Sequence, residues 1–163
     1  MDEALISNYN KVVGPYDYSY ILGDISYRTP QQTVDIFKRM NGIKTIVKGN
    51  HDSREMVRAL IESGVVSRVV DYWEMHDKPS GSKLVLMHYP LLTWRADRHG
   101  SIHLHGHCHG SIDDQNLDVL RMDVGVDTNK YAPISLTDIL TIMTARKAAL
   151  LTERNVLTTA RDR

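Results

Sequence analysis

Residues 43–52, IKTIVKGNHD, read as a strand that runs straight into a polar loop. Ile43 to Lys48 is rich in β-branched residues, Gly49 and Asn50 break the run, and the sequence from Asp52 to Glu55 resembles a capping box opening a helix to about Ser63. The same unit stands just upstream. Residues 18–22, YSYIL, are strand formers that end in GDIS, so Asp24 is expected just past the carboxyl end of a strand. Thr29 as N-cap and Pro30 in the first turn then start a helix with an apolar stripe of Val34, Ile36, Phe37 and Met40. Strand, loop and helix in repetition point to an α/β fold.

Outward from these units, Leu5, Ile6, Tyr9, Val12 and Val13 place an amphipathic helix on Glu3 to Val13, stopped by Gly14-Pro15. Downstream, residues 65–75 (VVSRVVDYWEM) read as one strand, 78–82 (KPSGS) as a hairpin turn, and Lys83 to His88 as a strand ending in histidine beside Tyr89-Pro90. SIHLHGH (101–107) and VLRMDVGV (119–126) make two more strands, a helix runs from Ser135 to about Leu151, and a polar tail after Thr152 is expected to fray. Strands alternating with helices early and following one another later predict helix-flanked sheets with mixed pairing.

The 163 residues fit one domain spanning 1–163. Lys+Arg and Asp+Glu both number 20, so there is no basic excess of the kind that bulk nucleic-acid binding needs. A phosphorylated small molecule or another locally recognised substrate is the better expectation. No apolar run reaches the roughly 18 residues of a membrane helix. Cys108 is the single cysteine and no signal peptide stands at the start, so a cytoplasmic setting is expected.

Asp24, Asn50, His88 and His107 all fall at expected strand ends, where α/β sheets gather ligands. A carboxylate, an amide oxygen and imidazoles form a mixed N/O set suited to Zn, Mn or Fe. Gly23, Gly49, Gly106 and Gly110 flank these positions and permit close backbone approach. Each residue alone reads as an ordinary turn or structural residue; their joint occurrence, finishing in GHCHG, reverses that reading.

GDIS (23–26), GNHD (49–52), MHYP (87–90) and GHCH (106–109) resemble, in order, the last four motifs of the calcineurin-like metallophosphoesterases, above all the small stand-alone bacterial and phage members. The resemblance covers about Tyr18 to Asp127. It implies an α/β/β/α sandwich with two mixed sheets and a dinuclear metal centre. Asp24 would bridge two ions, with Asn50, His88 and His107 completing the second site and His109 serving the first. His51 would lie over the substrate and protonate the leaving oxygen, while a hydroxide held between the metals attacks phosphorus in line. Phosphomonoester or phosphodiester hydrolysis follows as the implied activity, with manganese, iron or zinc as cofactor.

Members of that family begin with a strand carrying Asp-x-His, and no Asp-x-His precedes Asp24 here. The first residues resemble the helix that follows that strand, so the fold is expected to lack one strand. Four ligands remain for the second ion and only Asp24 and His109 for the first, which predicts one ion held firmly and another weakly or not at all. The missing strand leaves a sheet edge that a partner chain could cover. A catalytically impaired scaffold on the same fold is the alternative function, and a nuclease a third.

Among the remaining residues, His105 is expected to support the ligands and His103 to be a bystander on a half-exposed strand. Cys108 is expected as a buried filler, and His76 and His99 as solvated loop residues. Trp94, Arg95 and Arg98 stand open between substrate contact and plain loop, and Asp123 and Asp127 are candidates for orienting ligand histidines.

Overall fold

A computed structural model of the chain describes residues 1–112 and 119–161. Helix α1 (Asp2–Val12) buries Ile6 and Tyr9, with Asp2 and Glu3 in its first turn and Lys11 in its last, as the helix dipole favours. Strand β1 (Tyr18–Ile21) leads to α2 (Pro30–Lys38), whose N-cap Thr29 and Gln32 form the full reciprocal capping box. Strand β2 (Ile43–Val47) leads to α3 (Arg54–Glu62), and β3 (Arg68–Val70) completes a three-stranded sheet of order β1-β2-β3. Both pairings in it are parallel, so this sheet is not mixed.

The run expected as one strand over 65–75 is two. After β3 the chain leaves the first sheet at Asp71 and enters the second as β4 (Tyr72–Asp77). Lys48 secures that crossing, its N–H donating to the Val70 carbonyl at 2.8 Å and its ammonium pairing with Asp71 at 2.7 Å. Strand β4 pairs antiparallel with β5 (Ser82–Met87) through the expected hairpin, and β6 (Ile102–His105) and β7 (Arg121–Asp123) add in parallel, giving the mixed order β4-β5-β6-β7. Helix α4 (Leu136–Arg161) runs well past Leu151. No glycine or proline follows Pro133, so nothing in the sequence stops the helix where the polar tail was expected.

Side-chain alternation on β2 decides the layers. Ile46 faces Val34 and Phe37 of α2 and Met56 and Leu60 of α3. Val47 faces the opposite way, toward Leu84, Leu86, Ile102 and Leu104 of the second sheet, a cluster that Ile139 and Met143 of α4 join. Burying each such side chain contributes about 1.5–3 kcal/mol, and Ile46, Val47 and Leu60 are fully excluded from solvent. Among the described residues, no helix is long and apolar enough to cross a membrane.

Candidate metal centre

Because β1 and β2 are parallel, with Ile21 opposite Ile46, their carboxyl ends emerge side by side and carry Asp24 and Asn50 to one edge. Two glycines let the loops touch. A Cβ on Gly23, which sits at φ +82°, would lie 2.5 Å from both the Gly49 nitrogen and His88 Nδ1; one on Gly49 would lie 2.4 Å from the Asp24 nitrogen and from its Oδ1. Asp24 itself holds φ 52°, an uncommon conformation for a residue with a side chain.

Asp52 fastens the two loops together. Its buried carboxylate accepts N–H groups from Asp24 at 3.1 Å, Ile25 at 2.8 Å and Gly49 at 2.8 Å. The helix cap expected of Asp52 falls instead to Ser53, whose hydroxyl accepts the Met56 N–H at 3.1 Å. Asp52 lay inside the GNHD motif, but an acid before a helix reads locally as a cap; only the loop 28 residues upstream reveals its other partners.

His88 is 1% exposed at the end of β5. Its Nδ1–H donates to the Leu22 carbonyl at 2.7 Å, which leaves Nε2 as an acceptor. That nitrogen lies 2.9 Å from Asn50 Oδ1 and 3.5 Å from Asp24 Oδ2. His107 completes the group: ligand atoms of Asp24, His88 and His107 lie within 4.8 Å of one another. A carboxylate, an amide oxygen and imidazole nitrogens that converge are a set that a cation satisfies, so the ligand chemistry fits a divalent ion. The centre is closed on the His88 side and opens to solvent at Asn50 and His107, both exposed.

The histidine run does not continue as a strand. Strand β6 ends at His105, and His107 and His109 take φ 68° and 49° in a turn held by Cys108 N–H to the Gly106 carbonyl. His107 thus reaches the centre through a left-handed turn and not through strand alternation. His109 is not one of the three residues whose ligand atoms converge; its Nδ1 is hydrogen-bonded to Asp127 at 2.5 Å, and that carboxylate, with smaller contributions from Asp123 and Asp24, raises its pKa above the ordinary histidine value. Asp123 accepts backbone N–H groups from Gly110 and Gly125, and its charge adds to the rise in the His109 pKa.

His51 places its backbone N–H on Asp24 Oδ1 at 2.9 Å, and its exposed ring tilts against Tyr27 with centroids 5.4 Å apart at the rim. His103 and His105 are core residues, both 0% exposed. His103 donates from Nδ1 to the Val85 carbonyl and accepts the Leu91 N–H at Nε2, both at 3.0 Å, and burial pushes its pKa down to about 4. His105 donates to the Gly106 carbonyl at 2.8 Å and lies beside His103, so neither occupies the half-exposed face expected of that strand. Trp94 is buried against His103 with its indole N–H on Ser101 Oγ at 2.9 Å and serves the fold, while the exposed Arg95 pairs with Glu74 at 2.8 Å. Cys108 is half-buried; Arg98 and His99 are exposed, and His76 is exposed on β4 and not in a loop.

Tyr89 escaped the sequence reading. Its ring meets those of His88 and His107 edge-on at 5.0 and 4.7 Å, walling one side of the centre.

No protein-family model matches the chain. The solved structure of a protein of unknown function, AQ665 from Aquifex aeolicus, superposes with a TM-score of 0.67 at 25% identity, covering 86% of this chain and 84% of that one. The chain is 30% identical over 142 residues to the uncharacterized protein MJ1445 of Methanocaldococcus jannaschii, an alignment that covers 83% of this chain and 71% of its relative. An alignment at that identity and coverage places the chain in the same family as MJ1445.

Proposed function

We propose that the chain is a metal-dependent phosphoesterase of the calcineurin-like type, with the α/β/β/α sandwich that type implies. The observation that carries this reading is the acceptor-only convergence of Asp24 Oδ2, His88 Nε2 and Asn50 Oδ1 at the mouth of parallel strands, with His107 beside them. A divalent ion such as Mn²⁺, Fe²⁺ or Zn²⁺ bound there would supply an acidic water and neutralise charge on a phosphate. The protein's own residues do the rest. Asp52 holds the Asp24 backbone and the His51 N–H its carboxylate, Leu22 fixes the His88 tautomer, and Asp127 orients His109 beside the centre. The imidazole of His51, exposed at the rim, can give its proton to the departing ester oxygen. In the overall reaction a water oxygen bonds to phosphorus, the ester P–O bond breaks with its electron pair on the alcohol oxygen, and that oxygen takes up a proton.

One compact ligand cluster is present among the described residues, in keeping with a single firmly held ion. Titration calorimetry with Mn²⁺ should give one tight site per chain, and ion at a hundred times its dissociation constant should raise folding stability by about 2.7 kcal/mol. Hydrolysis of 4-nitrophenyl phosphate or bis(4-nitrophenyl) phosphate should require that ion and be lost in Asp24→Asn and His88→Ala. A chain that binds no Mn²⁺, Fe²⁺ or Zn²⁺ at millimolar concentration refutes the reading; a chain that binds the ion yet hydrolyses neither ester is the metal-binding scaffold instead.

A further inference from the structure

Beside the metal centre lies a cavity of about 670 Å³, within the range that takes a ligand of nucleotide size. Asn50 and His88 form its inner end. One wall is a single face of α3: Arg54, Val57, Arg58, Ile61 and Glu62 follow helical spacing, while Met56 and Leu60 turn to the core. The face begins four residues after Asn50, and Arg54 and Ile61 lie about 10 Å apart along the helix. Met87 and Tyr89 line the cavity as well, so apolar side chains share it with the two arginines of α3.

Charge in the cavity is unevenly satisfied. The Lys48 ammonium is committed to Asp71 at 2.7 Å, and the Asp52 carboxylate to its three backbone donors. Arg54 and Arg58, one helical turn apart and exposed, have no ion-pair partner among the described residues; the exposed Glu55 carboxylate feels both electrostatically, and Glu62 lines the same cavity one turn beyond Arg58. Two guanidinium groups on one wall, among apolar side chains and beside a metal centre, match a ligand with two anionic ends.

We propose that this cavity binds the alcohol side of a two-ended phosphate ester: a body of nucleoside size against Val57, Ile61, Met87 and Tyr89, with a second phosphate held by Arg54 and Arg58. The assignment rests on the phosphoesterase reading for the reacting end. Guanidinium pairs bind phosphate oxygens bidentately, a geometry that lysine cannot reproduce.

Calorimetry in the presence of Mn²⁺ tests the proposal with adenosine 3′,5′-bisphosphate, adenosine 5′-monophosphate and inorganic phosphate as probes. The bisphosphate should bind at least about tenfold more tightly than the monophosphate. The double variant Arg54→Gln/Arg58→Gln should erase that advantage, and Arg54→Lys/Arg58→Lys should restore part of it, with thermal melting confirming that both are folded. Equal affinity for the two nucleotides, or an advantage that survives in the glutamine variant, overturns the proposal. Those results with aryl phosphate hydrolysis intact remove only the cavity assignment. Arginine-dependent bisphosphate binding without any ester hydrolysis removes the hydrolase reading and leaves the cavity.

Discussion

Replacing Asp52 by alanine removes the acceptor shared by the backbone N–H groups of Asp24, Ile25 and Gly49. A hydrogen bond to a charged group is worth about 1.5–3 kcal/mol, but water can reach the exposed side of these loops, so the expected loss is about 4 kcal/mol and not the full sum of three. Asparagine is the sharper probe. With its amide oxygen kept on Asp24 and Gly49, its NH₂ faces the Ile25 N–H, donor against donor, for a loss of about 2 kcal/mol. Urea unfolding of the three proteins should show midpoints ordered Asp, Asn, Ala with unchanged slope. Because Asp52 holds Asp24 beside Asn50, Mn²⁺ affinity should fall about 10- to 100-fold in the alanine variant. A stability loss under about 1 kcal/mol, or unaltered Mn²⁺ affinity, would refute the view that Asp52 builds the centre.

Gly49→Ala places a methyl 2.4 Å from the Asp24 nitrogen and carboxylate, so Mn²⁺ binding measured by calorimetry should be lost even where circular dichroism reports a folded chain. His103 carries a folded-state pKa of about 4 against about 6.5 unfolded, so only the unfolded chain takes the proton between those values; stability should be full above pH 6.5 and fall by about 3 kcal/mol on approaching pH 4, seen as a urea midpoint that drops with acid and drops less in His103→Gln. Asp127→Asn should lower the pKa of His109 toward the ordinary histidine value in an NMR titration, since the Asp127 carboxylate is the main cause of its rise; an unmoved titration contradicts the pairing.

Most elements were legible because their signals are local. The Thr29 cap with Gln32, the Pro30 start and the apolar stripe through Phe37 lie within a few residues of one another and needed no tertiary partner. The same holds for the hairpin over 78–82. The division at Asp71 was not legible, since Val65 to Met75 is β-prone throughout and only the pairing of β3 with β2 and of β4 with β5 separates them. The histidine run failed in a different way: period-two spacing is shared by a strand and by a turn with residues at positive φ, and the spacing cannot tell them apart.

By itself, the sequence determined which residues could be ligands: polar side chains flanked by glycine at the ends of strand-forming runs, Asp24, Asn50, His88 and His107 among them. Tertiary structure decided which of them meet, and which histidines are withdrawn. Parallel register between β1 and β2 brings Asp24 to Asn50, and Asp52 and Leu22 then hold the carboxylate loop and the His88 ring. His103 and His105 look identical to their neighbours in the chain, yet backbone partners at Val85 and Leu91 claim both ring nitrogens of His103, and the Gly106 carbonyl claims Nδ1 of His105. The reason is physical: hydrogen bonding and burial are settled between segments far apart in sequence, and no short window contains both partners.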